Sequence, residues 1–246
     1  MNIIEDLAAL RQDLDQVEAI EKLTMRWVFQ AMLNFGSEAY EVFHQSEDEV
    51  DDVGEDITRE ALDRLPGFNI PTRVYGTVDY KKARYVILPD GIVRQALFID
   101  SKAEKSELNA RIQLSQTSLQ VQQLRGKQKL VVNERGLLPI ISSYSGNEYL
   151  TTTLFLHYTY FDVPTATDRS RHTLRNLIVA CMPNGLLQAR YNPDANDSIW
   201  LAGPNAPSLN EVFRTRLNFK KLANKAPWRV QRFVYTPTTC VGTWNG

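Results

Sequence analysis

The apolar run Ala96-Leu97-Phe98-Ile99 ends in Asp100-Ser101-Lys102, and this junction constrains the chain more than any other segment. The run reads as a buried strand, and its charged end marks a sheet edge. Strand side chains alternate, so Asp100 and Lys102 point to one side and Ser101 to the other. About twenty residues upstream, Val78-Asp79-Tyr80-Lys81-Lys82 sets another aspartate after an apolar run. If residues 73–79 and 94–100 neighbour each other in one sheet, Asp79 and Asp100 converge at one end. Two carboxylates and a lysine so placed suit metal-dependent cleavage of a phosphodiester. The carboxylates hold a hard cation through oxygen, and the Ser101 backbone carbonyl would add a ligand. Cation and lysine then offset charge on the phosphate. The same charges would also make a salt-bridge cluster at a sheet end, since such pairs are common and individually weak.

Charge distribution fits a polyanion partner better than the net value of −1 suggests. Residues 1–66 hold 17 acidic and 5 basic side chains, whereas residues 67–246 hold 23 basic and 12 acidic. A polyanion-binding surface therefore belongs to residues 67–246. A small net charge argues against strong indiscriminate DNA binding and agrees with recognition of a defined site. The 246 residues suit one α+β domain, with a mainly helical part over 1–66 and the catalytic and recognition part over 67–246. No apolar run reaches the roughly 18 residues of a membrane span. The start Met1-Asn2-Ile3-Ile4-Glu5-Asp6 lacks a signal-peptide pattern, so a cytoplasmic location is expected. Cys181 and Cys240 read as reduced structural thiols. His44, His157 and His172 lack metal-ligand spacing.

Periodicity predicts helices over 3–34, 37–45 and 55–62, and strands over 73–79, 83–88 and 94–100. Pro89-Asp90-Gly91 is a turn between the last two. Residues 104–124 favour a helix, with Leu108, Ile112, Leu119 and Leu124 among its apolar positions. Further strands are expected over Leu150–Tyr160, Leu174–Met182, Val212–Phe219 and Arg229–Tyr235. The acidic run 47–53 reads as a solvated loop. The layout is helices, a mixed sheet, then more strands.

A specific resemblance runs through these segments. Glu55-Asp56-Ile57-Thr58, Val78-Asp79-Tyr80-Lys81-Lys82, Phe98-Ile99-Asp100-Ser101-Lys102, Leu114-Ser115-Gln116, Arg190-Tyr191-Asn192-Pro193-Asp194 and Pro227-Trp228-Arg229 occur in order between about residues 17 and 235. In this the chain resembles the SfiI-type restriction endonucleases, BglI-related members of the PD-(D/E)XK nuclease superfamily. The resemblance implies a restriction-endonuclease-like core with a central mixed sheet flanked by helices. It implies Mg2+-dependent cleavage of both strands of double-stranded DNA at a short symmetric site, by a homodimer or a tetramer. Asp79 and Asp100 would be the Mg2+ ligands, and Lys102 would position or deprotonate the attacking water. Glu55 matches an acidic position on the helix before the sheet, where it would support the metal site through water. As an alternative, it is a helix N-terminal charge favoured by the macrodipole. The products would carry a 5′ phosphate and a 3′ hydroxyl.

Base reading is expected from side chains that reach a groove, and positioning from those that reach phosphates. Asn109 lies just past the candidate active-site strand, and an amide can bind adenine bidentately. The stretch 103–111 departs from the family pattern, which makes an A·T-containing site plausible. Arg214 and Arg216 alternate onto one strand face, where they would fork onto guanines or phosphates, or simply line an exposed face. Lys81, Lys82, Arg84 and Lys105 are expected at phosphates. Two other functions use the same surface: a structure-specific or repair nuclease of the superfamily, and a DNA-binding protein that does not cut.

Overall fold

Asp13 opens the first long helix by accepting a hydrogen bond from the Gln16 amide at 3.0 Å. The computed structural model describes residues 7–46, 50–64, 72–75, 84–88, 93–105, 109–125, 127–144, 146–163, 171–201 and 213–246. Helix α1 spans Leu14–Asn34, α2 Gly36–Gln45 and α3 Val50–Asp63. Val17, Ile20, Thr24, Met25, Val28 and Met32 give α1 a buried stripe at helical spacing. A 3-10 turn at Ala9–Arg11 precedes it, so the expected helix over 3–34 begins later and the one over 55–62 begins earlier.

Strands follow in a meander: β1 (Thr72–Tyr75), β2 (Arg84–Leu88) and β3 (Gln95–Glu104), each antiparallel to the one before. β1 and β3 therefore run in the same direction but are not neighbours, because β2 lies between them. This corrects the direct pairing considered for 73–79 and 94–100. The chain then makes β4 (Asn109–Gln113), a 3-10 turn at Leu114–Gln116, β5 (Val121–Arg125), β6 (Leu130–Glu134) and β7 (Ile141–Tyr144). The helix expected over 104–124 is thus replaced by two strands and a turn. Ala110 and Ile112 are buried between Asn109, Arg111 and Gln113, a period of two that the scattered leucines of the region disguised. The long strand β8 (Asn147–Val163) returns beside β3 in parallel, and β9 (Arg171–Met182) pairs with it antiparallel. Helix α4 (Gln188–Tyr191), β10 (Trp200–Leu201), β11 (Arg214–Asn218), α5 (Phe219–Lys225), β12 (Val230–Thr236) and β13 (Thr239–Gly242) complete the described elements.

The main sheet has the order β1-β2-β3-β8-β9-β12-β13, with β7 also on β8, and a small sheet has the order β10-β11-β4. The parallel pair β3–β8 is buried along almost its whole length, as expected where both faces are covered. The helical face carries Gln95, Leu97, Ile99, Ser101 and Ala103 of β3. Thr24 of α1 donates to Gln95 Oε1 at 2.9 Å. Thr58 of α3 shares hydrogen bonds with Ser101 Oγ at 2.8 Å and with the Tyr158 hydroxyl at 2.7 Å. Thr58 has one proton and points it at the Gly54 carbonyl at 2.9 Å, so Ser101 and Tyr158 are the donors to it. Burial pushes the Tyr158 hydroxyl well above the usual phenol range and keeps it a donor. No helix among the described residues is long and apolar enough to cross a membrane.

Glu21 of α1 and Arg229, in a 3-10 turn before β12, are both 0 % exposed and meet at 2.7 Å. Glu21 Oε1 also accepts the Asn184 amide at 2.8 Å, and Asn184 Nδ2 donates to the Ile140 and Thr151 carbonyls at 3.0 and 2.8 Å. The Arg229 guanidinium lies over the rings of Tyr191 and Trp228 at 4.3 and 4.2 Å. Burial pushes the Glu21 carboxyl up, and Arg229 opposes that rise. Breaking such a pair strands a buried charge. Arg229→Met should therefore lose roughly 3–5 kcal/mol of unfolding free energy in urea titration, and adding Glu21→Met should restore most of it. A loss below about 1 kcal/mol in the single variant would be the size of a surface pair and would remove the pair from the list of fold determinants.

Candidate active site and DNA-facing surface

Opposite the helices, β3 presents Asp100, Lys102 and Glu104. Lys102 Nζ stands 3.0 Å from Asp100 Oδ2, close enough for an ion pair. The approach misses hydrogen-bond geometry, so this buried oxygen has no hydrogen-bond partner among the described residues. Asp100 is 5 % exposed, and a carboxylate in that setting is short of solvation. A carboxylate oxygen left open on the strand face opposite the helices fits a ligand for a hard cation. Among the described residues no three acidic, histidine or cysteine side chains form a metal-binding group. Asp79, Lys81 and Lys82, proposed from the sequence as ligand and phosphate contacts, lie outside the described residues, as does Arg84's side chain. Ser101 turns its hydroxyl to Thr58, as strand alternation required, so its backbone carbonyl is the part available to a metal.

Glu55 is half-buried on α3, one turn before Thr58. That helix covers the face of Ser101 rather than the face of Asp100 and Lys102. Lys105 follows the same alternation away from Lys102. Its Nζ meets Asp162 Oδ2 at 2.5 Å and sits 5.8 Å from the Tyr160 ring centroid. His172 Nδ1 lies 3.0 Å from the other Asp162 oxygen. The structure therefore brings Asp100 and Lys102 together and holds Lys105 and Glu55 on the helical side.

The small sheet gathers three of the predicted DNA contacts, Asn109, Arg214 and Arg216, and adds another. Cross-strand partners share a face, and the register pairs Arg214 with Gln113, Arg216 with Arg111, and Asn218 with Asn109. The opposite face, with Ala110, Ile112, Thr215 and Leu217, is buried. Arg111, Arg214 and Arg216 thus share one surface, and like charges directly opposite each other destabilise a sheet. The Arg214 Nε atom is buried without a hydrogen-bond partner among the described residues. Glu104 is the nearby carboxylate, 4.0 Å from Arg111 Nε. A cationic face maintained at such cost suits phosphates and base edges. Arg111 was hidden from the sequence reading by the mistaken helix; the alternation Asn109-x-Arg111-x-Gln113 was the available signal.

Fold and site together are those of a type II restriction endonuclease. The structure superposes on tetrameric SfiI bound to cognate DNA with a TM-score of 0.78 and 26% identity, covering 100% of this chain and 98% of that one. BglI bound to its recognition sequence shares the fold with a TM-score of 0.69 and 16% identity, over 92% of this chain and 93% of that one. Residues 33–233 match the family model of the type II restriction enzyme SfiI. The SfiI enzyme of Streptomyces fimbriatus is 32% identical over 232 residues, 91% of this chain and 86% of the relative. The chain belongs to the SfiI family of type II restriction enzymes, whose activity is sequence-specific cleavage of DNA. Enzymes of this class generally need a divalent metal ion.

The Lys105–Asp162–His172 cluster gives a pH test. Lys105 first, then His172, holds the Asp162 carboxyl below the usual carboxylate range. A depressed carboxyl contributes stability that is present above its ordinary pKa and lost as pH falls through the lower folded value. The Asp162 carboxyl carbon should therefore titrate below the ordinary Asp value of about 3.9 in NMR, and Lys105→Ala should move it upward. An ordinary titration in the unmodified protein would mean that the cluster does not hold in solution.

Proposed function

We propose that this chain cuts both strands of a short symmetric DNA site with Mg2+ as its metal, in the bacterial cytoplasm. Asp100 and Asp79 are the ligands that would hold the ion, with the Ser101 carbonyl beside them. Magnesium supplies Lewis acidity toward the scissile phosphate. Lys102 Nζ would position the attacking water or, as the neutral amine, take its proton, and in its charged form would donate to a phosphate oxygen and compensate the charge that builds up during attack. The water oxygen forms a bond to phosphorus while the bond to the 3′ oxygen breaks. The water gives up one proton as it attacks, and a proton is returned from solvent to the leaving oxygen, which departs as a 3′ hydroxyl, while the 5′ phosphate remains on the other fragment. Glu55, on the helix behind the strand, would act through water.

The observation that carries this reading is the pairing of Asp100 and Lys102 on one face of β3, which runs on to Glu104 rather than ending at Asp100, with an open carboxylate oxygen between them. Arg214, Arg216 and Asn109 would contact DNA from the small sheet, with Lys81 and Lys82 at phosphates; Lys105, held by Asp162 on the helical side, is not among these contacts. Self-association is supported by the tetrameric SfiI structure, and two-fold protein symmetry would mirror a symmetric site. The parts 1–66 and 67–246 would act as one domain, joined by the Glu21–Arg229 and Thr58–Ser101 contacts.

Digestion of a large DNA of known sequence with Mg2+, with the cut ends sequenced, tests the proposal. Discrete ends that share one symmetric motif are expected. Asp100→Ala and Lys102→Ala should each lower cleavage by at least about 10²–10³-fold while the folded protein still binds its site. Full activity in either variant would remove these residues from the chemistry. Arg214→Ala or Arg216→Ala should weaken binding, and each contact to a phosphate should lower the salt slope by about one. Unchanged affinity and site preference in both would show that the small sheet faces away from DNA.

A further inference from the structure

The strand that carries the DNA-facing arginines and the strand that carries Lys102 belong to different sheets, yet two buried rings join them. β11 ends at Asn218, and the next residue, Phe219, begins α5. Asn218 Oδ1 accepts the Lys221 amide at 3.0 Å, and the Asn218 amide donates to the Ile199 carbonyl at 3.0 Å. These bonds fix the angle between β11 and α5, so Phe219 moves with Arg214 and Arg216. The Phe219 ring packs on the His157 ring, with centroids 5.7 Å apart and planes at 59°. His157 lies on β8 as the register partner of Lys102, on the same face of the main sheet. Phe219 is 5 % exposed and His157 1 %, so neither ring can yield into solvent. Close-packed interiors transmit such displacements.

We propose that Phe219 and His157 are positioning residues through which binding of the correct DNA site at β11 sets Lys102 for cleavage. The proposal rests on the reading of Lys102 as catalytic and of β11 as DNA-facing. A shift of β11 as its arginines engage the right bases is passed to the His157 ring, whose residue stands beside Lys102 on the neighbouring strand and the same face. A wrong base pair engages the arginines incompletely and leaves the ring, and therefore the ammonium, out of place. Both rings are buried in the interior, so their effect is expected on the rate after binding and on the difference between sites. Spatial intermediacy alone does not establish coupling; a change in discrimination does.

The test uses the full-length protein and two duplexes: the site mapped by digestion, and the same site with one base pair changed. Single-turnover cleavage with enzyme in excess is measured for Phe219→Ala, Phe219→Leu, His157→Ala, His157→Phe and the Phe219→Ala/His157→Ala double variant. Lys102→Ala and Arg216→Ala serve as controls. Binding to the mapped site should stay within about twofold of the unmodified protein, while its cleavage falls by about tenfold or more, the scale expected for a misplaced catalytic group. The altered duplex should slow far less, so discrimination narrows. The double variant should be no worse than the worse single one, and Phe219→Leu and His157→Phe, which refill the space, should recover much of the rate. Equal slowing of both duplexes would mark ordinary structural damage and overturn the proposal, as would an unchanged ratio. If an alanine variant does not fold, the leucine and phenylalanine variants carry the measurement, with a smaller narrowing expected. Cleavage by Lys102→Ala would instead overturn the catalytic reading on which the proposal stands.

Discussion

A carboxylate from the first long helix and a guanidinium from near the last strand meet where neither touches water. Each ion alone in that interior would be several kilocalories per mole out of place. Together, and with the Asn184 amide donating to the other carboxylate oxygen of Glu21, they fix α1, the exit of β9 and the start of β12 around one point. Glu18 adds an outer layer, bound by the Tyr191 hydroxyl and by Arg190 at 3.1 Å. The helices that cover one face of the main sheet are registered to it through this cluster and through the polar seams Thr24–Gln95 and Thr58–Ser101. A purely apolar interface would tolerate sliding; a buried hydrogen-bonded one specifies a single arrangement.

That arrangement divides labour between the faces of β3. The strand's odd-numbered side chains belong to the helices, whose sequence is strongly acidic. Its even-numbered ones, Asp100, Lys102 and Glu104, belong to the side where the small sheet gathers Arg111, Arg214 and Arg216. Much of the acidic excess thus lies in the helices on one face of the sheet, whereas Arg111, Arg214 and Arg216 lie on the other. A polyanion approaching the acidic face is repelled and one approaching the other is drawn in, which orients the encounter before any base is read.

The junction Asp100-Ser101-Lys102 was legible because strand alternation is rigid: one residue type at each of three positions predicts the faces. Helices α1 to α3 and strands β8, β9, β11 and β12 were legible for the same reason, being long and periodic. The stretch 104–124 was not. Its leucines and isoleucine fall at spacings that suit a helix about as well as two short strands, and the deciding contacts, Asn109 with Asn218 and Arg111 with Arg216, lie more than a hundred residues away. The matched family segments also proved to have several kinds of role. Gln116 accepts the Gln113 amide at 2.9 Å, Asn192 donates to the Gln120 carbonyl at 2.8 Å, and Arg229 holds Glu21. These are polar groups that hold the scaffold, and no local pattern distinguishes such a residue from one that meets the substrate. Lys105 shows the same limit, since the carboxylate that engages it comes from a distant strand.

The separation of 208 residues between Glu21 and Arg229 has a consequence for how the molecule comes into being. Synthesis at about 5–20 residues per second puts roughly 10–40 s between the appearance of the acid and of its counter-ion. Throughout that interval the first helix carries a charge that the finished core accepts only in company, so the helical layer cannot close over the sheet in its final form. The long parallel pairing of β3 with β8 adds a second late step of high contact order. A nascent chain of this kind is a poor cutter until it is nearly whole.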